Sequence, residues 1–136
     1  MVKLVCGKEG TGKTKRLIKM ANEDAKRTLG DIVFVDSDVK HMLDLNHKIR
    51  YVNAMEFEVK GIEMFHGFLC GLIAEDYDIE KIYIDAVYKI VHIDLSLLHK
   101  YIQRLENLSS KFKVDIILSL NIEEKDIPEN IKKYVI

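Results

Sequence analysis

Hydrophobic positions along this chain form short runs rich in Val, Ile and Tyr, which alternate with longer segments of helical period. This alternation is typical of βαβ units and predicts a three-layer α/β/α fold around a mainly parallel sheet of about five or six strands. The predicted strands are residues 2 to 6, 31 to 36, 48 to 53, 81 to 87, 113 to 120 and 131 to 136. The last of them is expected to run antiparallel at an edge of the sheet.

Three segments have the period of amphipathic helices, and they lie at residues 13 to 29, 61 to 76 and 95 to 111. Gly30 follows the first segment and predicts the end of that helix. Gly67 and Gly71 lie four apart in the second segment. Because glycine has no side chain, this spacing predicts a close approach of that helix to the sheet.

Length and charge limit the possible functions. The 136 residues, 48% of them hydrophobic, fit one compact domain spanning residues 1 to 136. The net charge of -1 gives no electrostatic reason to expect binding to nucleic acid or to an anionic membrane. Residues 1 to 50 carry 11 basic and 7 acidic side chains, a balance of +4. This excess fits a polyanionic ligand near this half of the chain, and it fits a solvated surface equally well.

Cys6 and Cys70 lie in apolar surroundings without metal-ligand spacing. This context predicts reduced thiols and a cytoplasmic location. No apolar run approaches the roughly 18 residues of a membrane span, so we expect no membrane insertion.

Residues 7 to 14, GKEGTGKT, follow the first predicted strand directly and precede the first helix. They match the P-loop pattern G-x-x-x-x-G-K-[ST], in which glycines let backbone N–H groups curl around phosphate. Lys13 would reach the β- and γ-phosphates, and Thr14 would offer its hydroxyl to Mg²⁺. The alternative is a glycine-rich turn without a ligand. The predicted nucleotide-binding residues in and beside the loop are Gly7, Lys8, Glu9, Gly10, Thr11, Gly12, Lys13, Thr14 and Lys15.

A second acid is expected on a neighbouring strand, where it would hold Mg²⁺ and its waters. The run Ile82, Tyr83, Ile84 leads into Asp85, which has the form of a Walker B strand. Together with the P-loop it predicts a metal site formed by Thr14 and Asp85.

With these two motifs the chain resembles P-loop NTPases over nearly its whole length, and its loop is most similar to those of RecA-like and helicase-like ATPases. It also resembles a group of short bacterial P-loop proteins labelled as twitching-motility ATPases. The resemblance implies Mg-ATP as ligand, with Gly7, Gly12, Lys13 and Thr14 at the phosphates and Asp85 at the metal. It further implies a strand inserted between the P-loop strand and the Walker B strand.

The chain departs from this family at the catalytic acid, because Ala86 rather than Glu follows Asp85. By the resemblance, Asp36 or Asp38 at the end of the second strand would take the role of general base. An open alternative is that Asp36, Ser37 or Asp38 caps a short helix at 39 to 45. By the same resemblance, Ser119 or Asn121, at the end of the predicted strand 113 to 120, would contact the γ-phosphate.

The sequence does not identify a single arginine as the contact to the γ-phosphate. Arg16 on the P-loop helix is one candidate, and a residue supplied by another subunit or a partner is another.

Three functions fit the sequence. The first is a weak ATPase or ATP-dependent switch that acts through a protein partner or a homo-oligomer, with ATP favoured over GTP because no N/T-K-x-D motif is present. The second is a kinase for a small substrate such as a nucleoside. The third is a non-catalytic module whose nucleotide stabilises a conformation that a partner binds.

Overall fold

One sheet of five parallel strands runs through the computed structural model, which describes all residues 1–136. The strands are β1 (Val2–Cys6), β2 (Asp31–Asp36), β3 (Ile49–Asn53), β4 (Ile79–Ile84) and β5 (Asp115–Leu120). Their order across the sheet is β1-β5-β4-β2-β3. Strand β5 therefore lies between β1, which precedes the P-loop, and β4, which precedes Asp85.

Helices cover both faces of this sheet and make the three-layer α/β/α fold that the hydrophobic pattern predicts. They are α1 (Lys13–Ala25), α2 (Gly61–Glu75), α3 (Val87–Ile90) and α4 (Leu95–Phe112). Helix α1 packs on one face, where its buried side chains meet those of β2, β4 and β5: Leu17, Ala21, Phe34, Tyr83 and Ile117. Helices α2 and α4 pack on the other face, in a larger core that includes Phe65, Leu69, Ile102 and Leu105. None of the helices is long and apolar enough to cross a membrane.

The prediction of a sixth strand at 131 to 136 is wrong. Residues Glu129–Tyr134 form a 3-10 helix, and only Val135 makes a single parallel bridge, to Leu4 on the outer edge of β1. Side chains three residues apart share one face of a 3-10 helix. This geometry lets Ile131 be fully buried and Tyr134 pack against the same core, whereas an extended segment would send them to opposite sides.

The prediction that Gly67 and Gly71 bring α2 close to the sheet is also wrong. Both glycines lie on the exposed side of α2, and a methyl group built on either would meet no other atom within 4 Å. The buried side of the same helix is formed by Phe65, Leu69 and Ile73. Glycine spacing alone does not report which face of a helix is buried.

Several predicted boundaries move by a few residues. Helix α1 ends at Ala25 rather than at residue 29, and β4 occupies Ile79–Ile84 rather than 81 to 87. Ala86 has a left-handed backbone with φ of 52°, which ends the extended segment directly after Asp85. The predicted short helix at 39 to 45 is a 3-10 turn at Met42–Asp44.

Candidate functional site

The loop between β1 and α1 is shaped around the carbonyl oxygen of Lys8. This oxygen accepts a hydrogen bond of 2.7 Å from the Thr11 hydroxyl and another of 2.7 Å from the Lys13 ammonium. Gly10 and Gly12 adopt left-handed φ values of 82° and 87°, which side chains of L-residues disfavour. The loop sequence therefore specifies a tight curl that ends where α1 begins.

Helix α1 begins without a capping side chain. Gly12 occupies the N-cap position, so no side chain bonds the N–H groups of the first turn. Such free N–H groups, together with the helix dipole, favour an anion at this end. Burial lowers the pKa of Lys13, and the nearby carboxylate of Asp85 opposes this shift.

Asp85, directly after β4, is held by residues from two other segments. The Thr14 hydroxyl donates to its Oδ2 at 2.7 Å, and the Ser119 hydroxyl donates to its Oδ1 at 2.6 Å. The Ser119 oxygen in turn accepts from the Ala86 N–H at 3.3 Å. Asp85 and Ser119 are both buried. This network fixes the Asp85 carboxylate opposite the first turn of α1.

Asp36, at the end of β2, forms a second buried carboxylate. Its Oδ1 accepts from the Ser37 N–H at 2.7 Å, and its Oδ2 accepts from the Tyr51 hydroxyl at 2.6 Å. Burial raises the pKa of Asp36 although both hydrogen bonds oppose that shift, and the negative charges of Asp85 and Asp38 add to it. Asp38 is less buried, and its Oδ1 accepts from the Lys40 N–H at 2.9 Å within a local turn.

Most of the predicted site residues meet in one cavity of about 420 Å³ at the carboxyl ends of the strands. Three predicted residues do not line it. They are Gly7, Lys8 and Thr11. A methyl group built on Gly7 would come within 2.6 Å of the Thr11 hydroxyl oxygen, which itself donates to the carbonyl oxygen of Lys8. The predicted residues that line the cavity are Glu9, Gly10, Gly12, Lys13, Thr14, Lys15, Asp36, Asp38, Asp85, Ser119 and Asn121.

The cavity also contains residues that the sequence did not single out, namely Lys40, His41, Tyr88 and Lys89. They lie shortly after the ends of β2 and β4, and this position is the signal that was available in the sequence. Arg16, in contrast, does not line the cavity, because its guanidinium donates to the carbonyl oxygen of Ile136 at 3.0 Å. The basic residues that line the cavity are therefore lysines and one histidine, and no arginine is among them.

These groups suit a magnesium nucleotide chemically. Thr14 and Asp85 offer hydroxyl and carboxylate oxygens, the ligand type that Mg²⁺ prefers. Lys13, Lys15, Lys40 and Lys89 line the same cavity and would balance phosphate charge. The cavity volume lies in the range of small-molecule sites, about 300 to 1,000 Å³.

Comparison with known proteins shows a likeness of fold to a solved structure. No family model and no curated protein matches the sequence. Among solved structures, the crystal structure of the flagellar accessory protein FlaH from Methanocaldococcus jannaschii superposes with a TM-score of 0.51 at 16% identity. The match covers 97% of this chain and 65% of the FlaH chain, so this chain spans about two thirds of that structure. At this identity the likeness concerns the fold alone.

Proposed function

We propose that this chain binds Mg-ATP at the P-loop cavity and acts as a slow ATPase or nucleotide-dependent switch. The observation that carries the proposal is the contact of Thr14 with Asp85, two residues from distant motifs whose oxygens lie 2.7 Å apart. Around this contact the same cavity gathers Lys13, the free N–H groups of α1 and additional lysines. Hydroxyl, carboxylate, ammonium and backbone donors are the set that a metal-bound triphosphate requires.

In this proposal each group has a separate role. The backbone of Gly10 and Gly12 and the first turn of α1 bind phosphate oxygens, and Lys13 exchanges the Lys8 carbonyl for a phosphate. Thr14 and Asp85 would hold Mg²⁺, which neutralises charge on the phosphates when bound. Ser119 keeps Asp85 oriented.

Asp36 is the preferred candidate for general base. It lines the cavity, it is buried, and its pKa is raised, which suits a group that must accept a proton near neutral pH. Asp38 has less support because its carboxylate is more exposed and is used in a local turn.

Slow turnover follows from two features. Ala86 occupies the position where related ATPases carry a catalytic Glu, and a positioned base is worth about 10²- to 10⁴-fold. All four arginines are engaged away from the cavity: Arg16 with Ile136, Arg27 with Asp24, Arg50 with Glu75 and Arg104 with Glu63. A protein partner or a second copy of the chain would then supply what accelerates hydrolysis.

Thermal unfolding with and without nucleotide tests binding directly. ATP at about 100 times its dissociation constant, with Mg²⁺, should add about 2.7 kcal/mol to the free energy of unfolding, which is a Tm shift on the order of 5 to 15 °C. Lys13→Ala should lose this shift, and the matched control Lys19→Ala, on the exposed side of α1, should keep it. An equal ATP shift in wild type and Lys13→Ala, or no shift in wild type, would exclude the proposal.

A further inference from the structure

A second cavity, of about 540 Å³, adjoins the P-loop cavity at the carboxyl end of β5. It lies between the segment from α3 to the start of α4 and the segment that follows β5. Its walls are mainly apolar and include Val87, Val91, Ile93, Leu98, Leu120 and Ile122. The nucleotide function proposed above assigns no role to it.

Three residues line both cavities, namely Glu9, Tyr88 and Asn121. Tyr88 in this shared wall lies three residues after Asp85, which is a metal ligand in the proposed function. Because Lys13 and the metal act at the β- and γ-phosphates, the second cavity would adjoin the terminal phosphate. This step rests on the proposed function.

The polar lining of the second cavity is predominantly acidic. Glu9, Glu123 and Asp126 contribute three carboxylates against the single ammonium of Lys8. Lys8 pairs with Glu123 at 3.1 Å, and Lys125 lies 3.7 Å from the same carboxylate. Glu9 and Asp126 make no ion pair. A ligand with a positive charge would therefore find two carboxylates outside any ion pair, of which Glu9 also interacts electrostatically with Lys13.

We propose that this cavity binds a small organic ammonium ion, whose aliphatic or aromatic body contacts the apolar wall while its charge faces Glu9 and Asp126. The volume lies in the range of small-molecule sites, about 300 to 1,000 Å³. An anionic ligand of the same shape is disfavoured by the carboxylates. The positive charge next to the terminal phosphate should make binding of the ammonium ion and of ATP mutually favourable.

Phenethylamine is a suitable probe, with 3-phenylpropionate as the matched anion. Binding is followed by chemical-shift perturbation in protein NMR spectra, first without nucleotide. For a ligand of this size we expect a dissociation constant on the order of 1 mM, with shifts at Val91, Ile93 and Ile122. No binding of the amine at ten times that concentration, or equal binding of the anion, would overturn the proposal.

Variants of exposed residues separate the charge effect from folding. Asp126→Asn should weaken binding of the amine about fivefold, because it removes an unpaired carboxylate from the cavity. Glu124→Gln is the matched control, since Glu124 is exposed in the same turn but does not line the cavity. A loss that is equal in both variants would show that only the general negative charge of this turn matters and would contradict the assigned site.

The effect of nucleotide on binding of the amine distinguishes this inference from the proposed function. With saturating Mg-AMP-PNP we expect the amine to bind about fivefold more tightly, and with Mg-ADP we expect little change. Competition between AMP-PNP and the amine would overturn the proposal, because part of the nucleotide would then occupy the cavity. If neither nucleotide binds, the proposed function fails, while the amine titration without nucleotide still decides whether the cavity binds ammonium.

Discussion

The Tyr51 hydroxyl donates to Oδ2 of Asp36 at 2.6 Å and lies 2.8 Å from the carbonyl oxygen of Asp38. Tyr51 stands on β3, the strand next to β2, and its ring stacks on that of Phe34. One side chain from an edge strand thus fixes the carboxylate that we propose as general base. Tyr51 is in this sense a positioning residue.

Tyr51→Phe should move the pH dependence of hydrolysis. The Tyr51 hydrogen bond lowers the pKa of Asp36 against the larger effect of burial, so its loss should raise that pKa further. The acid limb of the rate profile would then shift to higher pH, and the rate near neutral pH would fall about 3- to 10-fold. Tyr77→Phe, at an almost fully exposed tyrosine, is the control. An unshifted profile in Tyr51→Phe would remove Tyr51 from this role.

Asp36→Asn should stabilise the protein while it abolishes hydrolysis. The asparagine oxygen can accept from the Ser37 N–H, and its amide can donate to Tyr51, whose hydroxyl then donates to Asp38. Because folding raises the pKa of Asp36, the wild-type carboxylate costs stability above its unfolded pKa of 3.8, and this cost is absent at lower pH. We expect a gain on the order of 1 kcal/mol at pH 7.

Urea unfolding of wild type and Asp36→Asn at pH 7 and at pH 3 tests the direction of this change in the free energy of unfolding. The advantage of the variant should be present at pH 7 and disappear at pH 3. A variant that is less stable at pH 7 would show that the ionised carboxylate is favoured in the fold, and retained hydrolysis would exclude Asp36 as the base.

Ser119→Ala should lower the affinity for Mg²⁺ more than the affinity for the nucleotide. The Ser119 hydroxyl holds Oδ1 of Asp85 at 2.6 Å, and loss of a group that orients a metal ligand typically costs about 10- to 100-fold in metal affinity. The Mg²⁺ concentration needed for half-maximal ATP-induced stabilisation should rise by about 10-fold. Ser110→Ala, on the exposed side of α4, should leave it unchanged. Equal Mg²⁺ requirements in both variants would contradict the role of this network.

Gly71→Ala should raise the free energy of unfolding by about 1 kcal/mol. Gly71 lies inside α2, is exposed, and has open space where a methyl group would stand. Gly30→Ala is the contrasting variant, since the added methyl group would come within 2.3 Å of the Asp78 carbonyl oxygen, and we expect it to destabilise. Chemical unfolding of both variants checks the prediction, and a loss of stability in Gly71→Ala would indicate that this face of α2 is covered by another molecule.

The sequence allowed prediction of those parts of the fold that depend on local pattern. All five strands and the three long helices follow from alternation of apolar runs, because a parallel sheet buries both faces of each strand. The sixth strand failed because Ile131 and Tyr134 can reach the core from a 3-10 turn as well as from a strand. A short apolar segment does not distinguish these conformations.

The same distinction between local sequence motifs and tertiary contacts applies to the candidate site. The P-loop and Asp85 are contiguous motifs that the sequence shows directly, and β5 lies between their strands as the family resemblance implies. Lys40, Lys89 and Tyr51 could not be assigned to the site from the sequence, because their position depends on which loops and strands lie next to one another in the fold. A single lysine or tyrosine carries no motif of its own.

The position of β5 also bears on how the protein is made. Val2 pairs with Ile116, a contact that spans most of the 136 residues, and contacts of such long range form late. During translation β1 emerges first but lacks its neighbour until β5 has left the ribosome. Ser119 arrives with that strand, so the hydrogen bond that holds Oδ1 of Asp85 forms only then. Under the proposed function, a nascent chain should therefore acquire nucleotide affinity abruptly with the synthesis of β5, and not gradually as it lengthens.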